Sequence, residues 1–347
     1  MEKKFKILSI DGGGIRGIIP LEVLVNLENE LQQLHGPKAR LCDCFDLVCG
    51  TSTGGIIAIA VALGIPMRQV QALYDNHAKD IFPSKGWRKL INIITKGVFY
   101  SRKTLKSLIE KTFYSENNGV PISLDNCNTR VCIPAFDLHS GKMTVYKTKH
   151  HKEYVRDYHI PVADIALATS AAPVYFSPYS FEYETIDSNI KRSSKNIVDG
   201  GVVANNPSLI GLTEATCCIG KAIHNIQLLS LGTGYVPLVN QTKRIGMSFW
   251  LLPFEKFGIY EVMSIGQSEN IHNTIKMLHS GVGNENKNLF DYIRLQPRLE
   301  EDIKLDASDD ISIKKLHLIG QELYINSATK LRMFIEDTVI SYKFNQN

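Results

Sequence analysis

The sequence predicts an α/β protein with a mainly parallel central sheet flanked by helices on both faces. Three observations carry that expectation. Apolar, strand-like runs alternate with helical stretches along most of the chain, the pattern of a parallel sheet covered on both sides. Two of the early strand-to-helix junctions are glycine-rich turns, beginning at Gly12 and at Gly50. The composition, 44% hydrophobic and 21% charged over 347 residues, leaves enough apolar residue to bury a sizeable core. It excludes a disordered chain, a collagenous repeat and a small disulfide-stapled scaffold.

The elements follow in order. Phe5–Ile10 reads as a strand, followed by a glycine turn and an amphipathic helix over Gly17–Leu34. Phe45–Cys49 is a second strand, a second glycine turn follows, and Thr53–Leu63 is helical. Helical patterns continue at Arg68–Lys79 and Ser101–Phe113. Strand signals return at Arg130–Phe136 and Met143–Thr148, then a helix at Val162–Ser170. Ile197-Val198 leads a short strand into a turn, Asn206–Cys218 is helical and Gln227–Leu231 is a buried strand. The last hundred or so residues are mostly helical, over Glu255–His279 and Ile313–Tyr342, with an edge strand at Tyr292–Gln296 between them. At about 150 residues per domain the length suggests two domains. However, no repeat and no low-complexity linker divides the chain, and the one weak boundary is the polar stretch Ser180–Asn196. The expectation is a single domain over 1–347, with a catalytic core over about 5–235 and a mostly helical part over about 240–347.

Lys and Arg number 39 against 35 Asp and Glu, a net charge of +4. That is far from the basic footprint of a nucleic-acid binder, so no nucleic-acid polymer is expected as a partner; it suits a weak attraction to an anionic membrane surface. The seven cysteines cannot all pair with one another, and Cys42-Asp43-Cys44 has no partner pair at zinc-site spacing. They read as reduced, mostly buried thiols. Met1–Lys6 shows no signal-peptide pattern, and the longest apolar run, Ile56–Ile65, is about half of what a membrane span needs. The expected location is the cytoplasm, peripheral to a membrane.

Gly50-Thr51-Ser52-Thr53-Gly54 fits G-x-S-x-G, between a buried strand and a helix as that motif requires. A serine on such a turn is held in strained backbone geometry that projects its hydroxyl from the sheet, and the following helix N-terminus favours a developing anion. The bland alternative is a Gly-Ser loop that merely turns. Gly12, Gly14 and Gly17 of Asp11-Gly-Gly-Gly-Ile-Arg-Gly17 satisfy G-x-G-x-x-G, but the acidic residue a dinucleotide site needs after the second strand is missing. The better reading is an anion cradle of Gly12, Gly13 and Gly14 amides, an oxyanion hole for an intermediate made at Ser52. Arg16 either adds positive charge there or salt-bridges on the surface. None of the ten histidines stands at a glycine-flanked strand end, and His150-His151 reads as a solvated pair. Asp199 does follow the apolar Ile197-Val198 and precedes Gly200-Gly201, at a strand end where ligand sites gather. A partly buried carboxylate there is a stronger base at neutral pH; the alternative is an ordinary Asp-Gly hairpin turn.

Taken in order, Asp11–Gly17, Gly50–Gly55 and Asp199–Gly201 resemble the three blocks of the patatin-like phospholipases. Ala171–Phe176, Leu229–Gly234, Tyr292–Gln296 and the stretch Asp306–Leu323 are also similar in order and spacing, so the likeness covers nearly the whole chain. The resemblance implies a Ser–Asp dyad of Ser52 and Asp199, an oxyanion hole at Gly12–Gly14 with Arg16 beside it, and hydrolysis of glycerolipid acyl esters without a metal or other cofactor. Two features depart from the plant pattern: the missing secretory signal, and Val202–Pro207, which bears on how the base is presented. The expected function is phospholipase A-type hydrolysis at a membrane surface. The alternatives are an esterase or thioesterase on soluble acyl esters, and an effector gated by an activating ligand or protein, as some bacterial relatives are. Two apolar segments are candidates for contact with lipid. One sets Trp87, Leu90, Ile91, Ile94 and Val98 opposite Lys85, Lys89 and Lys96, with Arg88 between; it is either an interfacial helix or one packed on the core. The other is Phe249–Phe254.

Overall fold

Strands β1 (Phe5–Ile10), β2 (Leu47–Gly50) and β7 (Ile226–Leu231) are buried at every residue, which is why they read as continuous apolar runs rather than alternating ones. The computed structural model describes residues 3–83, 97–186, 188–236, 259–281 and 288–339. Those residues build one eight-stranded sheet that also contains β3 (Arg130–Asp137), β4 (Lys142–Lys147), β5 (Tyr179–Glu184), β6 (Lys191–Asp199) and β8 (Asp291–Leu295). The strand order is β5-β6-β3-β2-β1-β7-β8, with β4 paired to β3. Pairs β3–β2, β2–β1, β1–β7 and β7–β8 are parallel; β4 and β6 run antiparallel to β3, and β5 antiparallel to β6.

Successive side chains of a strand face opposite ways, and the core divides accordingly. Leu8, Ile10, Val48, Val131 and Leu229 face α1 (Ile18–His35), α2 (Thr53–Leu63), α3 (Met67–Ile81), α4 (Lys103–Phe113) and α5 (Val162–Thr169), with α9 (Asp310–Leu331) packed on α1. Phe5, Ile7, Leu47, Cys49 and Leu228 face the other way, onto α7 (Ser208–Thr213) and α8 (Ile259–Ser280). A short helix, α6 (Gly201–Ala204), leads from β6 toward α7. Local signals set the helix ends. Gly64 stops α2 in the left-handed conformation at φ 75°, and the Asp309 side chain caps α9 by accepting from Ser312 N at 2.9 Å.

The polar stretch Ser180–Asn196 pairs into the sheet. It is the β5–β6 hairpin, in which Tyr179, Phe181 and Tyr183 point inward while the polar residues between them face water. Period-two alternation with polar outward residues looks like loop when the inward aromatics are few. The helix expected over Asn206–Cys218 begins at Ser208 and widens into a π-helical turn over Glu214–Cys218, which leaves Cys217 exposed. Among the described residues no helix is long and apolar enough to cross a membrane. The segment carrying Trp87, Leu90, Ile91 and Ile94, and the cluster Phe249–Phe254, lie outside the described residues.

Candidate active site

The two glycine turns lie side by side because β1 and β2 are parallel neighbours in register, Ile10 opposite Gly50. Ser52 stands between β2 and α2 at φ 56°, ψ −125°, a conformation that costs a non-glycine residue on the order of 1–3 kcal/mol and persists only where its surroundings impose it. Here they do. Ser52 N donates to Thr169 Oγ1 at 3.1 Å, Ser52 O accepts from Gly55 N and Ile56 N, and the preceding Thr51 is tied by N to Ile10 O and by Oγ1 to Ala204 O. The start of α2 presses against the end of β1, and a Cβ at Gly54 would stand 2.4 Å from Ile10 O. Gly50 packs as closely on Gly54 O, and Gly17 on the Thr53 side chain.

The loop after β1 lies over the serine, and a Cβ at Gly12 would come 3.2 Å from Ser52 Cβ. Gly12 itself is held fast. Its N–H donates to Asn205 O at 3.1 Å, and its carbonyl accepts from Thr233 Oγ1 at 2.9 Å and from Asn205 Nδ2 at 3.4 Å. The N–H groups of Gly13 and Gly14 have no partner among the described residues. Gly14 O accepts from Thr53 Oγ1 at 2.9 Å, which couples the two turns. Asp11, at the head of the loop, is gripped by both terminal nitrogens of Arg294, at 2.8 and 2.6 Å, and by Ser268 Oγ at 3.0 Å. Arg16 faces the other way along the cavity wall. Its guanidinium meets Glu261 at 3.2 Å, Asp302 at 3.0 Å and the Ile303 carbonyl, so it forms a salt bridge, and a buried one.

Sheet register brings Asp199 to the serine. β3 pairs with β2 through Arg130–Cys132 and with β6 through Ala135–Asp137, so the last residue of β6 arrives beyond the carboxyl end of β2. Asp199 N donates to Ala171 O and Gly200 N to Thr169 O, which anchors the turn to the end of α5. The carboxylate is 0% exposed. Its Oδ1 accepts from Gly201 N at 2.7 Å, while Oδ2 has no hydrogen-bond partner among the described residues. Burial pushes the group up to about 7, against the opposing pull of the Ser52 hydroxyl, the Gly201 amide and the Tyr260 hydroxyl.

Above these groups opens a cavity whose other wall is apolar, made by Ile56, Ile81, Phe82, Leu105 and Phe176. A strained serine hydroxyl, two unoccupied amide donors and a buried carboxylate of raised pKa form the equipment for acyl transfer: a nucleophile, an anion cradle and a proton acceptor.

Sequence reasoning gave no role to Thr169, Asn205, Tyr260 or Arg294. Arg294 and Thr233 fall in stretches that resemble the family, and Asn205 lies in one that departs from it. Thr169 and Tyr260 carry no local signal. The reading of His150 needs correction, because its ring is buried. Nε2 lies 2.9 Å from Glu214 Oε1 and Nδ1 2.8 Å from Thr148 Oγ1, a partnership made by the π-helical turn that carries Glu214. Cys132, His150 and Glu214 approach within ligand distance of one another, but the Lys147 ammonium, 2.5 Å from Glu214 Oε2, already balances the carboxylate.

The profile of the patatin-like phospholipase family matches residues 8–210 of this chain. A cGAMP-activated phospholipase of Escherichia coli (strain TW11681) is 30% identical over 340 residues, covering 92% of this chain and 88% of that one. A second cGAMP-activated phospholipase, from Vibrio cholerae serotype O1, is 28% identical over 352 residues, covering 95% and 93%. Patatin-like protein 2 of Oryza sativa subsp. indica is 39% identical over 225 residues, which cover 62% of this chain and 53% of the rice protein.

Proposed function

The chain belongs to the patatin-like phospholipase family and is a lipid acyl hydrolase of the serine type; from that premise we propose that it cleaves acyl esters of membrane glycerophospholipids with Ser52 as nucleophile and Asp199 as base. The observation that carries this reading is the unpartnered, fully buried Oδ2 of Asp199 at the strand end beside the strained Ser52. An acceptor left open in a dry site is stabilised by the proton it is about to receive.

The reaction proceeds in two halves. Ser52 Oγ adds to the ester carbonyl as its proton passes to Asp199, and the oxyanion is met by the Gly13 and Gly14 amides, since the Gly12 amide and the Arg16 guanidinium are engaged elsewhere. Collapse expels the lysophospholipid alkoxide, which takes the proton from Asp199 and leaves an acyl-serine. Water then gives a proton to Asp199 as its oxygen adds to the acyl carbonyl. The second collapse releases the fatty acid and returns the proton to Ser52. The apolar cavity wall suits the acyl chain, and the cradle side suits the carbonyl.

The test is labelling of Ser52 by a fluorophosphonate probe together with turnover of phospholipid vesicles. Loss of both in Ser52→Ala is expected. Vesicle turnover at the wild-type rate in that variant would falsify the assignment, and turnover confined to micellar short-chain esters would point to an esterase on soluble substrates. A second reading adds a gate. The two relatives named as cGAMP-activated match this chain nearly end to end. On that reading, cGAMP added to the purified protein raises vesicle turnover from a low basal rate; equal rates with and without it remove the gate and leave the hydrolase.

A further inference from the structure

One face of α8 is polar, and that face meets two of the three glycine motifs, the loop after β1 and the turn after β6. Ser268 Oγ donates to Asp11 Oδ2 at 3.0 Å and accepts from Asn205 Nδ2 at 3.2 Å, Gln267 Oε1 accepts from Asn206 N at 2.9 Å, and Ser264 Oγ donates to Gly201 O at 3.3 Å. One helical turn earlier, Glu261 pairs with Arg16. Ile259 and Met263 on the same helix are exposed, so its first turns present apolar side chains to solvent and polar ones to the protein interior. An inversion of the usual amphipathic pattern asks what the inward polar groups do.

Tyr260 belongs to this inward face. Its hydroxyl would lie 2.5 Å from a Cβ placed on Gly201, whose own amide already holds Asp199 Oδ1. The side chain is partly buried, and its hydroxyl sits near the Asp199 carboxylate and the Ser264 hydroxyl. We propose that Tyr260 is a positioning residue for the base: its hydroxyl, beside the carboxylate, turns to donate to the open Asp199 Oδ2, holds the group in the rotamer that faces Ser52 and keeps it ionised against the pull of burial. This rests on the Ser52–Asp199 reading and adds a third member to it, supplied by a helix that follows the three motifs in the chain. A neutral donor suits the task. It stabilises the carboxylate without the full charge of an arginine, which would hold the base too far down to take a proton. The ionisable groups that also face this corner are Tyr175 and Glu261, the latter with Arg16 and Asp302.

The test is Tyr260→Phe, which removes one oxygen and keeps the ring. The acid limb of the kcat/KM profile on phospholipid vesicles should move up by about one pH unit, so that turnover below the limb falls about tenfold while KM holds. Because Glu261 also titrates near neutrality, Asp199 is read directly as well. In a Ser52→Ala background, the infrared carbonyl band of the protonated carboxyl, identified by its loss on Asp199→Asn, should persist to higher pH when Tyr260→Phe is added. Replacement of Tyr260 by 3-fluorotyrosine, of nearly the same shape and a stronger donor, should move the limb down, and it serves if the phenylalanine variant folds poorly. An unmoved limb and an unmoved carboxyl band in either variant overturn the role of Tyr260. Retention of activity by Asp199→Asn overturns instead the dyad on which it rests.

Discussion

The strand-end turns and the C-terminal clasp hold the same cavity in different ways. The turns at Gly12–Gly14, Ser52 and Asp199 are backbone devices, made of strained dihedrals, close approaches and amide hydrogen bonds within one sheet edge. The clasp is built of side chains: Arg294 on Asp11, Arg16 on Glu261 and Asp302, and the polar face of α8 on Asp11, Asn205 and Gly201. The first region fixes backbone positions by close approach but has no charge of its own apart from Asp199. The second supplies charge and hydrogen-bond donors but depends on two elements, α8 and β8, that join late in the chain. The difference teaches that chemistry and stability are divided between the regions, and each prediction probes that division.

The largest effect belongs to the turns. Ser52→Ala is expected to lower kcat by about three to six orders of magnitude with an unchanged circular dichroism spectrum. Asp199→Asn should cost about three to four orders. For the wild type the sign of the pH dependence follows from the raised carboxyl: the base must be ionised to accept a proton, so kcat/KM falls as pH drops through about 7 and levels above it. A profile that is flat from pH 5 to 8 would remove Asp199 as the base, those bounds being about two units below and one above the expected limb. Next in size is Gly13→Ala, whose Cβ would meet Thr233 Oγ1 at 2.3 Å and so shift one of the two open amides. A loss of about 10²-fold in kcat, with KM little changed, is expected.

The smallest effect on chemistry belongs to the clasp, where stability is affected first. Arg294→Gln strips a buried carboxylate of its bidentate partner, and about 3–5 kcal/mol of stability should go with it, read as a lower melting temperature. The protein that remains folded should keep its turnover within about tenfold of wild type, a drop far below that of the serine variant. If Arg294→Gln abolishes turnover while the melting temperature holds, the two regions are not separable, and Asp11 acts in the reaction.

What could be read beforehand divides along the same line. The Ser52 elbow announces itself because the glycines it needs are two residues away on either side. Asp199 was legible from its place after an apolar pair and before two glycines. The helix over Thr53–Leu63 was bounded correctly, since Gly64 ends it by local conformation. The β5–β6 hairpin was hidden by its own outward polar residues, and the burial of His150 by a π-helical turn that no composition signal marks. Thr169 looks like any residue at a helix end until β3 and β6 bring Pro134 and Gly200 to it.

By itself the sequence determined the alternation of strand and helix, both glycine turns and the placing of Ser52 and Asp199 at glycine-flanked strand ends. Each of these follows from steric rules that act within a few residues. Only the folded chain decided which amides stay unoccupied, that Arg16 is spent in a buried ion pair, and that a tyrosine from a late helix stands beside Gly201. Those outcomes depend on which strands lie next to one another and in what register, and that order is set by the packing of the whole sheet rather than by any short stretch of chain.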